Sequence, residues 1–240
     1  MMRPSRIFLI IYAVALCSAS CGPIKQAGTH DLESGYYRLK TRNTAPQNVY
    51  TVITDSSVAI HSLIGNTKQP VANATRRIVT NDLVADSLLQ PFVLVKRSLD
   101  FDLSTILLKY RFRNQTLPNQ LSGNLNAAIY SGYRNDFFKI RDKVDPLSQR
   151  RRVIQHFEFD MGVFAGFGST PVNPSTTANI VSVEYDGVIF QKGIACFIGS
   201  GNFAFGIGLG SDRLLDTHKK EWIYQEKPWM GVMIGLNLSN

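Results

Sequence analysis

Phe203-Ala-Phe-Gly-Ile-Gly-Leu-Gly-Ser-Asp212 is the stretch whose reading decides the fold. Phe203, Phe205, Ile207 and Leu209 fall on one parity, and Ala204, Gly206, Gly208, Gly210 and Asp212 on the other. Side chains alternate across a strand, so one face is bulky and apolar and the other tiny or polar. A soluble sandwich would bury the apolar face and turn charge outward. A glycine face suits a narrow closed barrel, with apolar side chains directed at lipid and little room within.

Working outward, the pattern repeats. Over 155–168, Phe157, Phe159, Met161, Val163, Ala165 and Phe167 oppose His156, Glu158, Asp160, Gly162, Gly166 and Gly168. Over 228–238, Met230, Val232, Ile234, Leu236 and Leu238 oppose Gly231, Gly235 and Asn237. Residues 125–137 alternate too, as do 105–113, where Ile106, Leu108, Tyr110 and Phe112 oppose Lys109, Arg111 and Arg113. Residues 183–198 are more mixed. Most of these six strands reach the roughly 9–11 residues needed to cross a bilayer at a tilt.

Eight strands is the common minimum for such barrels, so two more are expected from 36–99. There, 36–42, 49–54 and 58–63 read as a small meander that turns at Asp55-Ser56-Ser57. Residues 92–99 are a further strand candidate, and Asn81 is placed to cap a helix through Leu89 that Pro91 ends. The expected fold is all-β: a small antiparallel up-and-down barrel of outer-membrane type, about eight-stranded, over 91–240, after a short β-meander and linker over 36–90. With the C-terminus on the periplasmic side, 213–227, 169–182 and 114–123 become outer loops. Residues 200–202 become a tight inner turn, and 141–153 a long inner connection. Tyr110, Tyr133, Trp222, Tyr224 and Trp229 lie near strand ends and suit interfacial girdles, although aromatic residues are common there without that role.

The first twenty residues read as a secretory signal, with Arg3 and Arg6 before the apolar run 7–16 and small residues at 18–20. Cys21 follows Ser18-Ala19-Ser20 in the manner of a bacterial lipobox, which makes it the lipidation candidate; ordinary cleavage nearby is the alternative. Residues 21–35 then form a tether. Cys17 leaves with the signal, and Cys196 remains as a lone thiol in an apolar strand, read as a small core residue rather than half of a disulfide. The chain of 240 residues is 44% hydrophobic and 18% charged, the composition of an ordered protein. Removing Arg3 and Arg6 takes the formal charge from +8 to +6. That modest, dispersed excess favours anionic lipid headgroups over nucleic acid as its partner.

His156, Glu158 and Asp160 share the polar face of one strand, and Arg111 and Arg134 lie on polar faces elsewhere. A narrow lumen demands partners for buried charge, so these five residues are read as a polar lumen network. Two chemical alternatives exist. Small outer-membrane barrels that modify lipids use His, Ser and an acid, but Ser169 lies far along the strand from His156. A metal site would need a second histidine at ligand spacing, and His30, His61 and His218 sit in unrelated segments; neither metal nor cofactor is expected. The basic run Gln149-Arg150-Arg151-Arg152 would lie at the inner leaflet, as a solvated turn or a docking point for lipid or partner. Gly206-Ile-Gly-Leu-Gly lacks the following helix that a phosphate-binding loop needs.

From Asp100-Phe-Asp-Leu-Ser-Thr-Ile-Leu-Leu-Lys-Tyr-Arg onward the chain resembles an uncharacterised family of outer-membrane barrel-like proteins of Bacteroidetes-type bacteria. Further carriers are Leu117-Pro-Asn-Gln-Leu, Gly132-Tyr-Arg, Gly166-Phe-Gly-Ser-Thr-Pro-Val and Glu184-Tyr-Asp-Gly. The likeness is strongest at Trp222-Ile-Tyr-Gln-Glu-Lys-Pro-Trp and Gly235-Leu-Asn-Leu. The resemblance implies an envelope location and a barrel, and no activity. Leu238-Ser239-Asn240 departs from general barrel practice in lacking a terminal aromatic. The expected role is non-enzymatic, structural or docking, with outer-membrane lipids and an envelope protein as partners. A lipid-modifying hydrolase centred on His156, and a periplasmic lipocalin-like binder of an apolar ligand with its faces inverted, are the alternatives.

Overall fold

The computed structural model describes residues 26–27, 32–42, 44–54, 57–65, 67–73, 76–79, 90–113, 117–144, 146, 150–200 and 203–236. The expected signal, Cys21, the helix at 81–89, the Asp55-Ser56 turn, most of the 200–202 turn and the four C-terminal residues, 237–240, lie outside them. Among the described residues the chain is all-β and antiparallel, with a turn of 3-10 helix at Pro174–Thr176. Its strands are β1 (Gln26–Ala27), β2 (Gly35–Thr41), β3 (Gln47–Thr54), β4 (Ser57–Ser62), β5 (Arg76–Val79), β6 (Phe92–Arg111), β7 (Gln120–Ser122), β8 (Asn126–Val144), β9 (Arg150–Val172), β10 (Tyr185–Gly199), β11 (Phe203–Leu214) and β12 (Pro228–Leu236).

Six strands close a ring: β6 pairs β8, β8 pairs β9, and the order continues through β10, β11 and β12 back to β6. The barrel-like class is the one the alternation implies, but the ring closes without the two extra strands expected from 36–99. Those strands go elsewhere. The far end of β6, Phe92 to Val95, pairs β2, and the sheet runs on through β3, β4 and β5. Strands β6, β8 and β9 therefore belong to two structures: the ring at one end, and at the other a curled sheet that packs Leu32, Tyr37, Val49, Val58, Ile60, Phe92, Leu94, Phe138, Ile140 and Ile154 together. Within the stretch read as a tether, Ala27 pairs Ile154 of β9 and Leu32 is buried in that lower core.

The direction of the faces follows from parity. Phe157, Phe203 and Phe205 are 45%, 58% and 60% exposed, whereas Ala204, Gly206 and Gly208 are buried. Around the ring, Leu99, Phe101, Leu103, Ile129, Tyr133, Met161, Val163, Phe167, Ile194, Ile198, Ile207, Leu209, Met230, Val232 and Leu236 also face out. On β9 the apolar run from Phe157 to Phe167 covers ten steps. That is about 34 Å of strand, or about 26 Å of height at a tilt near 40°, close to the roughly 25 Å band of a membrane barrel. Among the described residues, Arg97 of β6, Lys192 of β10 and Arg213 of β11 carry charge on this outward face in register with that run; Lys192 lines a shallow outer groove with Phe112, Val163, Ile194, Leu209 and Pro228.

Glycine is needed inside because the strands coil tightly. A Cβ on Gly162 would stand 2.1 Å from the carbonyl oxygen of Ser131 and 2.3 Å from the Cα of Gly132, both backbone atoms. Narrow closure and the glycine face are one fact.

Several expectations are corrected. Residues 92–99 and 105–111 are parts of one continuous strand, β6, which ends before Phe112. The alternation of 105–113 is broken by a bulge opposite Val232 and Met233, with Leu107 and Leu108 both exposed. Because a bulge adds one residue, it reverses the parity beyond it: Ile106 faces in, and so do Lys109 and Arg111. Trp222, Tyr224 and Trp229 form no outward girdle, since all three are turned inward and buried. Cys196 stands half-buried on the outward face between Ile194 and Ile198, not in the core. The long inner connection shrinks to residues 145–149, because β8 and β9 run further than their alternation shows.

Candidate functional site

Inward parity on β6, β8 and β9 brings acids together in the lower half of the ring. Register sets Arg134 beside Asp160 and Asp136 beside Glu158 across β8 and β9, with Asp100 and Asp102 arriving from β6. Arg134 binds three of these carboxylates. Its Nη1 donates to Asp100 Oδ1 (3.4 Å), its Nε to Asp136 Oδ1 (3.2 Å) and its Nη2 to Glu158 Oε2. The Tyr130 hydroxyl donates to Asp160 Oδ1 at 2.7 Å. Gly132 makes room for that bond: a Cβ there would lie 2.2 Å from the tyrosine oxygen and 2.3 Å from the carboxylate. His156 Nε2 lies 2.9 Å from Asp136 Oδ1, and its ring stacks on Phe138 at 4.5 Å and 8°. Asp100, Asp102, Tyr130, Arg134, Glu158 and Asp160 line a cavity of about 10 Å³, room for roughly one water.

Of the five residues read as a lumen network, the structure thus joins His156, Glu158, Arg134 and Asp160 in one cluster, tied through Asp136 and Asp100. Arg111 is not with them. It sits near the opposite end of the ring, in a second cluster with Lys109, Gln191, Asp212 and Trp229. Lys109 Nζ donates to Gln191 Oε1 (2.9 Å) and to both oxygens of Asp212 (3.0 and 3.1 Å). Arg111 Nη2 and Trp229 Nε1 (2.8 Å) donate to the same carboxylate. Phe164 and Met233 pack with Trp229 in the apolar layer between the two clusters. The residues 215–227 cap this end, where Trp222 and Tyr224 lie against the Arg111 guanidinium.

Lys109, Gln191 and Trp229 were missed as lumen residues. Asp212 already stood on the glycine face, and a carboxylate there needs a cation. Trp229 shares parity with Gly231 and Gly235, which marks it as inward.

The lower cluster offers little for catalysis. Ser200 Oγ donates to the backbone carbonyl of His156, not to its ring (2.9 Å). Ser169 lies thirteen residues along β9, about 40 Å away at the rise of a strand. As ligands, Asp136, His156 and Glu158 have donor atoms within 4.8 Å of one another. Yet Arg134 donates to both carboxylates and His156 bonds one of them, so the donor set is already turned on itself. What this arrangement does chemically is hold charge inside a narrow tube. Compared with protein-family models, curated proteins and solved structures, the chain matches none.

Proposed function

We propose that this chain is an exported outer-membrane barrel of non-enzymatic role, structural or docking in the cell envelope, with its apolar band in lipid. One observation carries the reading: bulky apolar side chains face out around the ring while Asp100, Asp136, Glu158, Asp160, Asp212, Lys109, Arg111 and Arg134 face in. Exposed apolar patches of such extent mark a surface meant for another phase or partner, and membrane barrels carry this inside-out polarity. Lys192 fits too, since a long cation near the band's outer edge can extend its head to the interface. The sheet edge at β5, unpaired on its outer side among the described residues, is the natural place for an envelope partner to add a strand.

The outward phenylalanines run against an apolar-ligand binder, which would need them lining a cavity. Cell fractionation tests the proposal. The full chain is expected in the outer-membrane fraction, extractable only with detergent, and with gel mobility that changes on heating. Recovery as a soluble monomer without detergent, once any lipid anchor is cleaved, would overturn it.

A further inference from the structure

The outer mouth of the ring gathers buried donors that have no acceptor. Arg111 Nη1, Trp222 Nε1 and the Tyr224 hydroxyl are each without a hydrogen-bond partner, in residues only 4%, 2% and 4% exposed. They are neighbours: the guanidinium carbon lies 5.3 Å from the Trp222 ring centre and 4.9 Å from that of Tyr224, and the two rings are 5.9 Å apart. Native interiors seldom leave one buried donor unmatched, and three in one place call for a common acceptor.

Charge is out of balance in the same sense. Lys109 and Arg111 face the single carboxylate of Asp212, whose oxygens already accept from Lys109, Arg111 and Trp229. Glu221 does not make up the deficit, because its buried Oε2 also lacks a partner and so does not meet Arg111 Nη1. The residues 215–227 are themselves fixed in place. Glu226 N donates to the Asp212 carbonyl (2.8 Å), Ile223 N to that of Thr176 (3.0 Å), and Leu214 N to Gln225 Oε1 (2.9 Å). Burial also pushes the Tyr224 hydroxyl upward in pKa, which keeps it a donor.

We propose that Arg111, Trp222 and Tyr224 form a binding site for a small oxyanion, of the carboxylate or phosphate class, at the outer mouth of the barrel. The donors are acceptor-seeking, clustered and beside an excess cation, and their burial favours a free ion over a group held on a lipid.

The test titrates the full chain, in whatever solvent keeps it monodisperse, with sodium phosphate and sodium acetate against sodium chloride at matched ionic strength. Tryptophan fluorescence and the thermal midpoint are read. A saturable response to phosphate or acetate, exceeding that to chloride, is expected. Tyr224→Phe keeps the ring and removes one donor, so it should weaken binding by about fivefold. Without anion, Tyr224→Phe should be no less stable than the parent, because its hydroxyl then bonds nothing; with anion it should gain less. Saturation by a short-chain phosphatidic acid but not by inorganic phosphate would overturn the free-ion reading. So would a response equal to chloride, a response unchanged in Tyr224→Phe, or no response.

Discussion

Replacing Asp212 by Asn should cost this barrel a large share of its stability. The Asp212 side chain is fully buried and accepts from three residues: Lys109 Nζ at 3.0 and 3.1 Å, Arg111 Nη2, and Trp229 Nε1 at 2.8 Å. Asparagine keeps the shape, but it removes the charge answering two cations and turns one acceptor into an NH₂ that faces other donors. Removing one partner of a buried ion pair costs roughly 3–5 kcal/mol because the survivor stays unpaired. The retained amide oxygen places the expected loss near the lower end, about 3 kcal/mol. A urea titration of the refolded barrel, followed by tryptophan fluorescence and by gel mobility, reads this as a lower midpoint at unchanged slope. A companion variant isolates the cause. Asp212→Leu with Lys109→Met and Arg111→Met removes all the charge, and should recover much of the loss, since well-packed apolar groups often replace buried ion pairs at little cost. An Asp212→Asn protein within about 0.5 kcal/mol of the parent would refute the reasoning, as only water reaching the two cations could spare it that much.

Three further outcomes are expected. Phe205→Arg places a cation in the outward band and should cost about 2–4 kcal/mol in a bilayer; an unchanged or improved stability would mean that this face meets water. Gly162→Ala drives a methyl group against the Ser131 carbonyl, 2.1 Å away, and should cost about 1–3 kcal/mol by overpacking, read as a lower thermal midpoint. Burial pushes the Tyr37 hydroxyl from 10.0 up to about 12 while it donates to the Glu33 carbonyl at 2.7 Å. The folded state therefore holds this proton more tightly than the unfolded chain, so its stabilisation is complete below pH 10 and is lost as pH rises from about 10 to 12. Thermal midpoints taken across that window should fall, and Tyr37→Phe should flatten the fall.

The alternation at Phe203–Leu209 and Phe157–Phe167 was legible because a large aromatic facing one way and glycine the other leaves a strand no second arrangement. The number of strands in the ring is not written in any single strand. It depends on how closely backbones approach, and the 2.1 Å clearance at Gly162 is visible only once the neighbouring strand is in place. The bulge at Leu107 and Leu108 was hidden because two apolar residues in succession suit either face. Its effect is to turn Lys109 and Arg111 inward, where they meet Asp212; their distance from His156 comes from their place at the other end of β6. Glu158 and Asp160 of the lower cluster were legible by parity on β9, whereas Asp100, Asp102 and Asp136 join them only through the neighbouring strands. Their common partner Arg134 could be assigned only through the register of β8 against β9, which pairs residues more than twenty positions apart. Trp222 and Tyr224 lie in the cap at 215–227, where no periodicity says which way a ring will turn.

Strands β6, β8 and β9 each pass from the ring into the lower sheet without a break, and this sets how the protein can come apart. Phe92, Leu94, Phe138, Ile140 and Ile154 are carried on ring strands, yet they are covered by Tyr37, Val49, Val58 and Ile60 of the meander. Cutting the chain before residue 91 would not release a finished barrel. It would leave an apolar flank on three of the six staves, ready to pair with another chain. The ring and the meander therefore share their strands, so loosening the meander exposes apolar side chains carried on the staves themselves.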